Sequence, residues 1–132
     1  MTDFNILRKR YSEVLCGRGH SGKRTADCIL RSDERTEQRL AQLDTRIEKA
    51  ITSNEPGIVN ATLKGILDIS TSFSQNNSRF YHDENIKNKI FNALNALEKV
   101  YNDTIAPQGN WWYWEIGIPL SLNSIFTLMY DY

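Results

Sequence analysis

The chain has 132 residues, which is enough for one domain with a hydrophobic core and too few for two. Its 16 Lys and Arg residues balance 16 Asp and Glu residues, so the composition does not favour nucleic acid, an anionic membrane or a basic protein as a partner. The basic residues are concentrated between Arg8 and Arg46, whereas the segment from Asp103 to Tyr132 contains no Lys or Arg.

The first predicted helix runs from Asp3 to about Leu15, and its apolar residues share one face. That face carries Leu7, Tyr11, Val14 and Leu15. The stretch from Met1 to Cys16 is charged and lacks the apolar centre of a secretory signal. We therefore expect a cytoplasmic protein if the chain is complete, or else a part of a longer precursor.

A segment between Gly17 and Thr25 has the glycine and lysine spacing of a phosphate-binding P-loop. However, Arg24 follows Lys23 where a P-loop has a hydroxyl residue for magnesium, and the segment follows a predicted helix instead of a strand. We therefore favour an ordinary basic loop over a nucleotide site. Cys16 and Cys28 flank this loop, and we favour two thiols over a disulfide between them.

Two further helices are predicted on either side of a break at Asn54 to Gly57. The first runs from Ser32 or Asp33 to about Ser53, and Pro56 fits the first turn of the second. Apolar residues recur at intervals of three and four in both helices, namely Leu40, Leu43, Ile47 and Ile51 in the first and Ile58, Val59, Leu63, Ile66, Leu67 and Phe73 in the second. A polar run from Ser74 to Ser78 then predicts a loop.

The second half of the chain predicts two more helices. Asp83 is suited to cap one that ends before Pro107, and Pro119 is suited to open the last. Their apolar positions are Ile86, Ile90, Leu94, Leu97 and Tyr101 in the first and Leu122, Ile125, Phe126 and Met129 in the last. Because alternation of period two is absent, the sequence predicts an all-α fold of stacked antiparallel hairpins in one domain, residues 1–132. The uncharged segment from Ile116 to Tyr130 is too short and too polar for a membrane span.

Residues that could carry chemistry are few. His20 and His82 have no carboxylate at a spacing that would orient either as a general base, so a surface or hydrogen-bonded histidine is favoured for both. Together with Cys16 and Cys28 they lack the paired spacing of a zinc site. We expect no metal, no cofactor and no catalytic residue in this chain.

All three tryptophans lie in one aromatic stretch, from Gly109 to Pro119. Four successive rings, Trp111 to Trp114, cannot all face a core, because neither a helix nor a strand points consecutive side chains the same way. Some of the rings must be exposed or line a cleft, where indoles suit the C–H faces of sugars. The alternative is that two rings lie in the core and neighbouring segments cover the others. Glu115 is then either a desolvated acid or base, or a structural hydrogen-bond acceptor, and we favour the latter.

The run from Asn110 to Pro119, with Leu122 and Asn123 after it, resembles the Asn-Trp-Trp-Asp-Trp-Glu-Ile-Gly-x-Pro segment of polysaccharide lyase family 8, which includes hyaluronate, chondroitin AC and xanthan lyases. Weaker similarities are Leu7 to Tyr11, which looks like the family's opening Leu-Arg-x-Arg-Trp helix, and Ser78 to Tyr81, which looks like its Ser-x-Tyr-Tyr turn. Tyr113 departs from the pattern, because the family usually has aspartate there.

The resemblance implies an incomplete (α/α) toroid around a polymer-binding cleft, and β-elimination on an acidic polysaccharide built with uronic acids. It implies an extracellular location. The family's catalytic asparagine, histidine, tyrosine and arginine lie downstream of the tryptophan motif, so none is assigned here. Substrate binding is expected at Asn110, Trp111 and Trp112, which match the family's cleft residues.

Three hypotheses follow. The first is the N-terminal part of a family 8 lyase, inactive alone. The second is a non-enzymatic helical module that binds carbohydrate or protein. The third is a partial toroid that self-associates through its exposed inner-helix surface.

Overall fold

The computed structural model describes residues 2–16 and 26–132, and within these two ranges it contains helices and no strand. The elements in chain order are α1 Asp3–Leu15, α2 Ala26–Ser53, α3 Pro56–Ser74, α4 Glu84–Leu97, a π-helical turn Tyr113–Gly117 and α5 Ile118–Met129. The all-α prediction is confirmed. The P-loop-like segment, with His20, lies outside the described residues.

Helices α2 and α3 form an antiparallel hairpin. Only Asn54 and Glu55 connect them, and Pro56 lies in the first turn of α3 as predicted. The direction follows from contacts that join the first half of α2 to the second half of α3. Two of them are the ion pair Arg39 Nε to Asp68 Oδ2 at 3.1 Å and the buried hydroxyl pair Thr36 and Ser72 at 2.6 Å.

Helix α2 begins at Ala26, earlier than the predicted start at Ser32 or Asp33. Asp33 is not a cap, because its buried carboxylate has other partners. It accepts hydrogen bonds from the Ser78 hydroxyl at 2.5 Å and from the Arg79 backbone N–H at 3.1 Å. The carboxylate thereby fastens the turn before α4 to α2.

Helix α3 is the centre of the molecule, since it packs against α2, α4, α5 and the π turn. Helix α5 runs beside it in the same direction: Asn60 near the start of α3 contacts Ser121 in α5, and Phe73 near the end of α3 contacts the ring of Tyr132. The buried core contains residues from α2 to α5, and the predicted apolar positions of α3 pack in or against it. Its members are Leu43, Ala50, Val59, Leu63, Ile66, Ile69, Phe73, Ile86, Ile90, Ala93, Leu97, Val100, Ile118, Ile125 and Met129.

The apolar face predicted for α1 is not buried. Leu7 and Val14 are 65% and 51% exposed, and Tyr11 of the same face contacts α5 through its hydroxyl. Tyr11 Oη lies 2.9 Å from Ser124 Oγ, and Arg8 pairs with Asp131 at 3.1 Å while its guanidinium covers the Tyr130 ring. The α1 contact is therefore largely polar.

Helix α4 begins after Asp83, whose carboxylate accepts hydrogen bonds from the N–H groups of Asn85 and Ile86, as predicted for its cap. It ends at Leu97, so Tyr101 lies in the turn beyond the helix. The hairpin of α2 and α3 fits the predicted antiparallel stacking, while closure of such hairpins into a toroid stays a prediction.

Candidate functional site

The aromatic stretch is helical. Trp111 and Trp112 form an α-helical start, the π turn follows, and α5 continues directly from Ile118. Gly117 has helical backbone angles, φ −61° and ψ −53°, and Pro119 lies in the first turn of α5, as predicted. The rings consequently point in different directions around one helical axis.

Asn110 begins this helix. Its side-chain Oδ1 accepts a hydrogen bond from the Trp112 backbone N–H at 2.9 Å, and its backbone carbonyl accepts one from the Tyr113 N–H at 3.2 Å. This is the geometry of a helix N-cap, for which asparagine is among the preferred residues. The Asn110 side chain remains exposed.

The four rings differ in exposure, as predicted. Trp111 is 62% exposed and Trp112 is 40% exposed, whereas Tyr113 is half-buried and Trp114 is 9% exposed. Two adjacent indoles therefore form an aromatic surface that faces solvent, and the other two rings attach it to the protein. We call Trp111 and Trp112 the indole pair.

The Trp112 ring packs directly on Gly117. A Cβ atom on Gly117 would lie 2.8 Å from Cζ3 of the Trp112 ring and 3.2 Å from Oδ1 of the buried Asn60. Such an approach is too close for a real Cβ, so the ring occupies space that any larger residue would fill. Trp112 also meets the Tyr113 ring edge to face, with centroids 5.4 Å apart.

The start of α3 supports the other side of the stretch. The Tyr113 ring lies against Gly57, where a Cβ would be 3.4 Å from Cε2. Gly109 packs against Pro56 and has a positive φ of 69°, a backbone conformation that favours glycine. The indole pair is thus attached to the central helix of the fold.

Trp114 and Tyr101 form the inner wall of the site. Their ring centroids are 4.9 Å apart, and the Tyr101 hydroxyl donates a hydrogen bond to the backbone carbonyl of Trp114 at 2.9 Å. Burial raises the pKa of the Tyr101 hydroxyl above its ordinary value, because the charged phenolate is desolvated there. The hydroxyl is a donor at neutral pH, as any tyrosine hydroxyl is, and the rise extends the protonated form to higher pH.

Glu115 does not have the predicted role. Its side chain is exposed, and it makes no hydrogen bond to any residue that the structure describes. The residue that secures the stretch is Tyr101, which sequence reasoning had assigned only to the apolar face of a helix.

Outside the aromatic stretch, candidate chemistry is sparse. His82 is exposed and its Nε2 lies 2.6 Å from the Tyr132 hydroxyl, which agrees with a hydrogen-bonded surface histidine. Residues 2–16 and 26–132 contain no group of three His, Cys, Asp or Glu side chains placed to hold a metal ion.

A groove of about 780 Å³ is lined by Trp114 and Tyr101 together with residues of three helices. Apolar side chains from α3, α4 and α5 form its floor, including Leu94, Leu122 and Phe126, and Glu98 and Asp103 stand among the polar residues along it. Sequence reasoning missed this groove, because its residues come from α3, α4, the turn after α4, the π turn and α5 and share no local motif.

None of the helices in the described part of the chain is long and apolar enough to cross a membrane. The model of the N-terminal alpha-helical domain of polysaccharide lyase family 8 matches residues 26–132. A curated relative, a xanthan lyase of Bacillus sp. (strain GL1), is 29% identical in an alignment 140 residues long. The alignment covers 98% of this chain and 15% of the relative. The chain thus spans well under a fifth of that relative's length. With four fifths of its residues inside the family match, the chain belongs to polysaccharide lyase family 8, as part of its N-terminal alpha-helical domain.

Proposed function

We propose that the chain is a sugar-binding N-terminal portion of a polysaccharide lyase that acts by β-elimination on a polymer containing uronic acids. In this proposal residues 1–132 form one helical unit of an incomplete toroid and bind the polymer through Asn110, Trp111 and Trp112. We expect the unit to be inactive alone, because the family's catalytic groups lie downstream of the tryptophan motif. The location is extracellular, where such polymers are found.

The observation that carries the proposal is the exposure of the indole pair on a rigid support. Large aromatic rings are normally withdrawn from water, and these two are exposed although Trp114 beside them is buried. Flat indole faces with an amide nitrogen beside them suit a sugar ring, which presents both C–H faces and hydroxyl groups. Membership in a polysaccharide lyase family supplies the ligand class.

The polymers to be tested are of the hyaluronan, chondroitin and xanthan types. The name of the relative, xanthan lyase, places xanthan first among them. Replacement of the family's usual aspartate by Tyr113 removes a carboxylate from the site, and the half-buried Tyr113 ring packs on Gly57 instead. We therefore expect binding to depend mainly on stacking.

Calorimetric titration with oligosaccharides of each polymer tests the proposal. We expect Trp111→Ala and Trp112→Ala each to weaken binding about tenfold or more, equivalent to about 1.4 kcal/mol. Phe126→Ala is the matched control, because Phe126 is a similarly exposed ring in the groove beyond Trp114 and its loss leaves the indole pair intact. Absence of binding to all three polymers, or equal loss in the control, would contradict sugar recognition by the indole pair.

Asn110 is tested separately, because capping and sugar binding use different atoms. Asn110→Asp keeps an oxygen for the Trp112 N–H but loses the amide donor, whereas Asn110→Ala loses both. A sugar-binding role predicts weaker binding in both variants. Unchanged affinity in Asn110→Asp would leave Asn110 as a cap alone.

The absence of activity is tested by incubating the chain with each polymer and following the ultraviolet absorbance of the unsaturated uronate that β-elimination produces. We expect no product. Turnover by the purified chain would show that catalytic groups are present within it and would overturn this part of the proposal.

The second candidate is a non-enzymatic interaction module, and the apolar groove beside Trp114 favours it. A protein partner bound there would contact Phe126 and Leu122 instead of the indole pair. Loss of partner binding in Phe126→Ala, with full binding in Trp111→Ala, would support this second candidate.

A further inference from the structure

We infer that Tyr101 is a positioning residue for the indole pair: its hydroxyl satisfies a backbone carbonyl that the π turn leaves open and so fixes the direction of Trp111 and Trp112. This inference rests on the proposed function, since it gives Tyr101 a part in the same sugar site. It concerns a residue outside the aromatic stretch, in the turn after α4.

The open carbonyl follows from the sequence of backbone hydrogen bonds. In an α-helix the Trp114 carbonyl would accept from the N–H of Ile118, but that N–H donates to Tyr113 in the π turn. The next N–H in a π-helix would belong to residue 119, which is proline and has none. The Trp114 carbonyl therefore lacks both helical donors, and the Tyr101 hydroxyl takes their place at 2.9 Å.

The same proline accounts for the π turn. In a regular α-helix the ring of Pro119 would press against the carbonyl of Glu115, four residues earlier. One wider turn relieves this contact while α5 continues. Trp114 is buried, so an unsatisfied carbonyl at this position would carry the cost of a desolvated polar group.

The π turn also places Gly117 beneath Trp112. Residues three and four apart are neighbours on an α-helix, whereas Trp112 and Gly117 are five apart and in direct contact. The contact between the Trp112 ring and Gly117 therefore depends on the wider π turn. Tyr101 stabilises this turn and thereby stabilises the contact.

Tyr101 is well placed for this role. Its backbone N–H is fixed to the Leu97 carbonyl at 3.1 Å, and its ring packs on Trp114. A tyrosine hydroxyl is protonated over the neutral range, so the donor is present under ordinary conditions.

The test uses Tyr101→Phe, which removes the donor and keeps the ring. We expect a three- to tenfold loss of oligosaccharide affinity and a changed near-ultraviolet circular dichroism signal from the tryptophans. Tyr11→Phe is the matched control, because it removes a tyrosine hydroxyl that bonds Ser124 farther along α5. We expect the control to change neither the affinity nor the tryptophan signal.

The mechanism is tested by repeating Tyr101→Phe in a Pro119→Ala background, where the substitution supplies an additional backbone N–H at position 119. We expect the effect of Tyr101→Phe on the tryptophan signal to be smaller there, since the Trp114 carbonyl then has a helical donor. An equal effect in the two backgrounds would overturn the assignment, as would a Tyr101→Phe variant that matches the wild type. If the wild type binds no sugar, the proposed function fails, while the tryptophan signal still decides the role of Tyr101.

Discussion

Gly117 controls the position of Trp112 through the absence of a side chain. Its backbone angles are helical, so alanine would be accepted by the backbone and favoured by helix propensity by about 1 kcal/mol. The added Cβ would lie 2.8 Å from the Trp112 ring and 3.2 Å from the buried Asn60, however. We expect Gly117→Ala to destabilise the fold by about 1–3 kcal/mol and to weaken sugar binding.

Gly65 provides the control for this prediction. It is also a buried helical glycine, but a Cβ there meets only the flexible Arg39 side chain, at an ordinary 3.5 Å. We expect Gly65→Ala to be neutral or to stabilise by up to about 1 kcal/mol, with sugar binding unchanged. Thermal unfolding and calorimetric titration compare the two variants directly. Equal effects of the two substitutions on stability and sugar binding would argue against a specific contact between Gly117 and Trp112.

The ionisation of Tyr101 makes the stability of the fold decrease at high pH. Because burial raises its pKa in the folded chain above the ordinary value of 10.0, the unfolded chain ionises first as pH rises. The stability that this group contributes is complete below pH 10 and is lost as pH rises through the folded pKa. We expect the wild type to lose more stability than Tyr101→Phe as pH rises from about 9 through the folded pKa of Tyr101.

Urea unfolding at a series of pH values measures this difference. The other tyrosines are present in both proteins, so their ionisation cancels in the comparison. Parallel stability curves for wild type and Tyr101→Phe would contradict a raised pKa of Tyr101 in the folded chain.

At the scale of elements, Asp33 joins α2 to the turn that precedes α4. Removing its carboxylate would leave the buried Ser78 hydroxyl and the Arg79 N–H without that acceptor. Hydrogen bonds to charged groups contribute about 1.5–3 kcal/mol, so we expect Asp33→Ala to destabilise the fold by about 2 kcal/mol.

The control is the exposed ion pair between Glu37 and Arg79, which joins the same two elements at 2.6 Å. Exposed pairs contribute about 0–1 kcal/mol, so Glu37→Ala should have a small effect. Both values come from urea unfolding. A loss in Asp33→Ala no larger than in Glu37→Ala would show that the buried carboxylate does not anchor the turn.

The elements themselves were largely predictable, because local chemistry decides them. Apolar intervals of three and four mark α2 to α5, and Asp83 and Pro56 mark two of the starts. The start of α2 was predicted too late: Asp33, given as a possible start, lies inside the helix, and its carboxylate bonds a turn 45 residues later. The buried face of α1 was also misjudged, because periodicity shows which residues share a face and not whether another element covers it.

The candidate site was predictable only in part. The exposure of some rings follows from the period of a helix, and it is confirmed at Trp111 and Trp112. The support from Tyr101, Gly57 and Asn60 could not be found, because these residues reach the site from other elements. Pro119 lies in the first turn of α5, as sequence reasoning predicted, but its effect on the preceding turn was not foreseen.

The whole molecule combines zero formal net charge with exposed apolar rings. Its isoelectric point lies near pH 6.7, where charge repulsion between copies is weakest. On α5, Leu120 and Phe126 are 58% and 51% exposed, and Phe126 borders the apolar groove. We expect a mass that rises with protein concentration near pH 6.7 and falls towards that of one chain near pH 9, where net charge accumulates.

Light scattering over a range of concentrations measures this mass, and two lysine substitutions separate its causes. Phe126→Lys removes an exposed ring and adds a charge, whereas Asn123→Lys adds the same charge at an exposed polar position of α5. If apolar contact drives association, Phe126→Lys should abolish the rise in mass and Asn123→Lys should only reduce it. Equal effects would assign association to charge alone, and one constant mass for the wild type at pH 6.7 would show that the exposed surface does not bind a second copy.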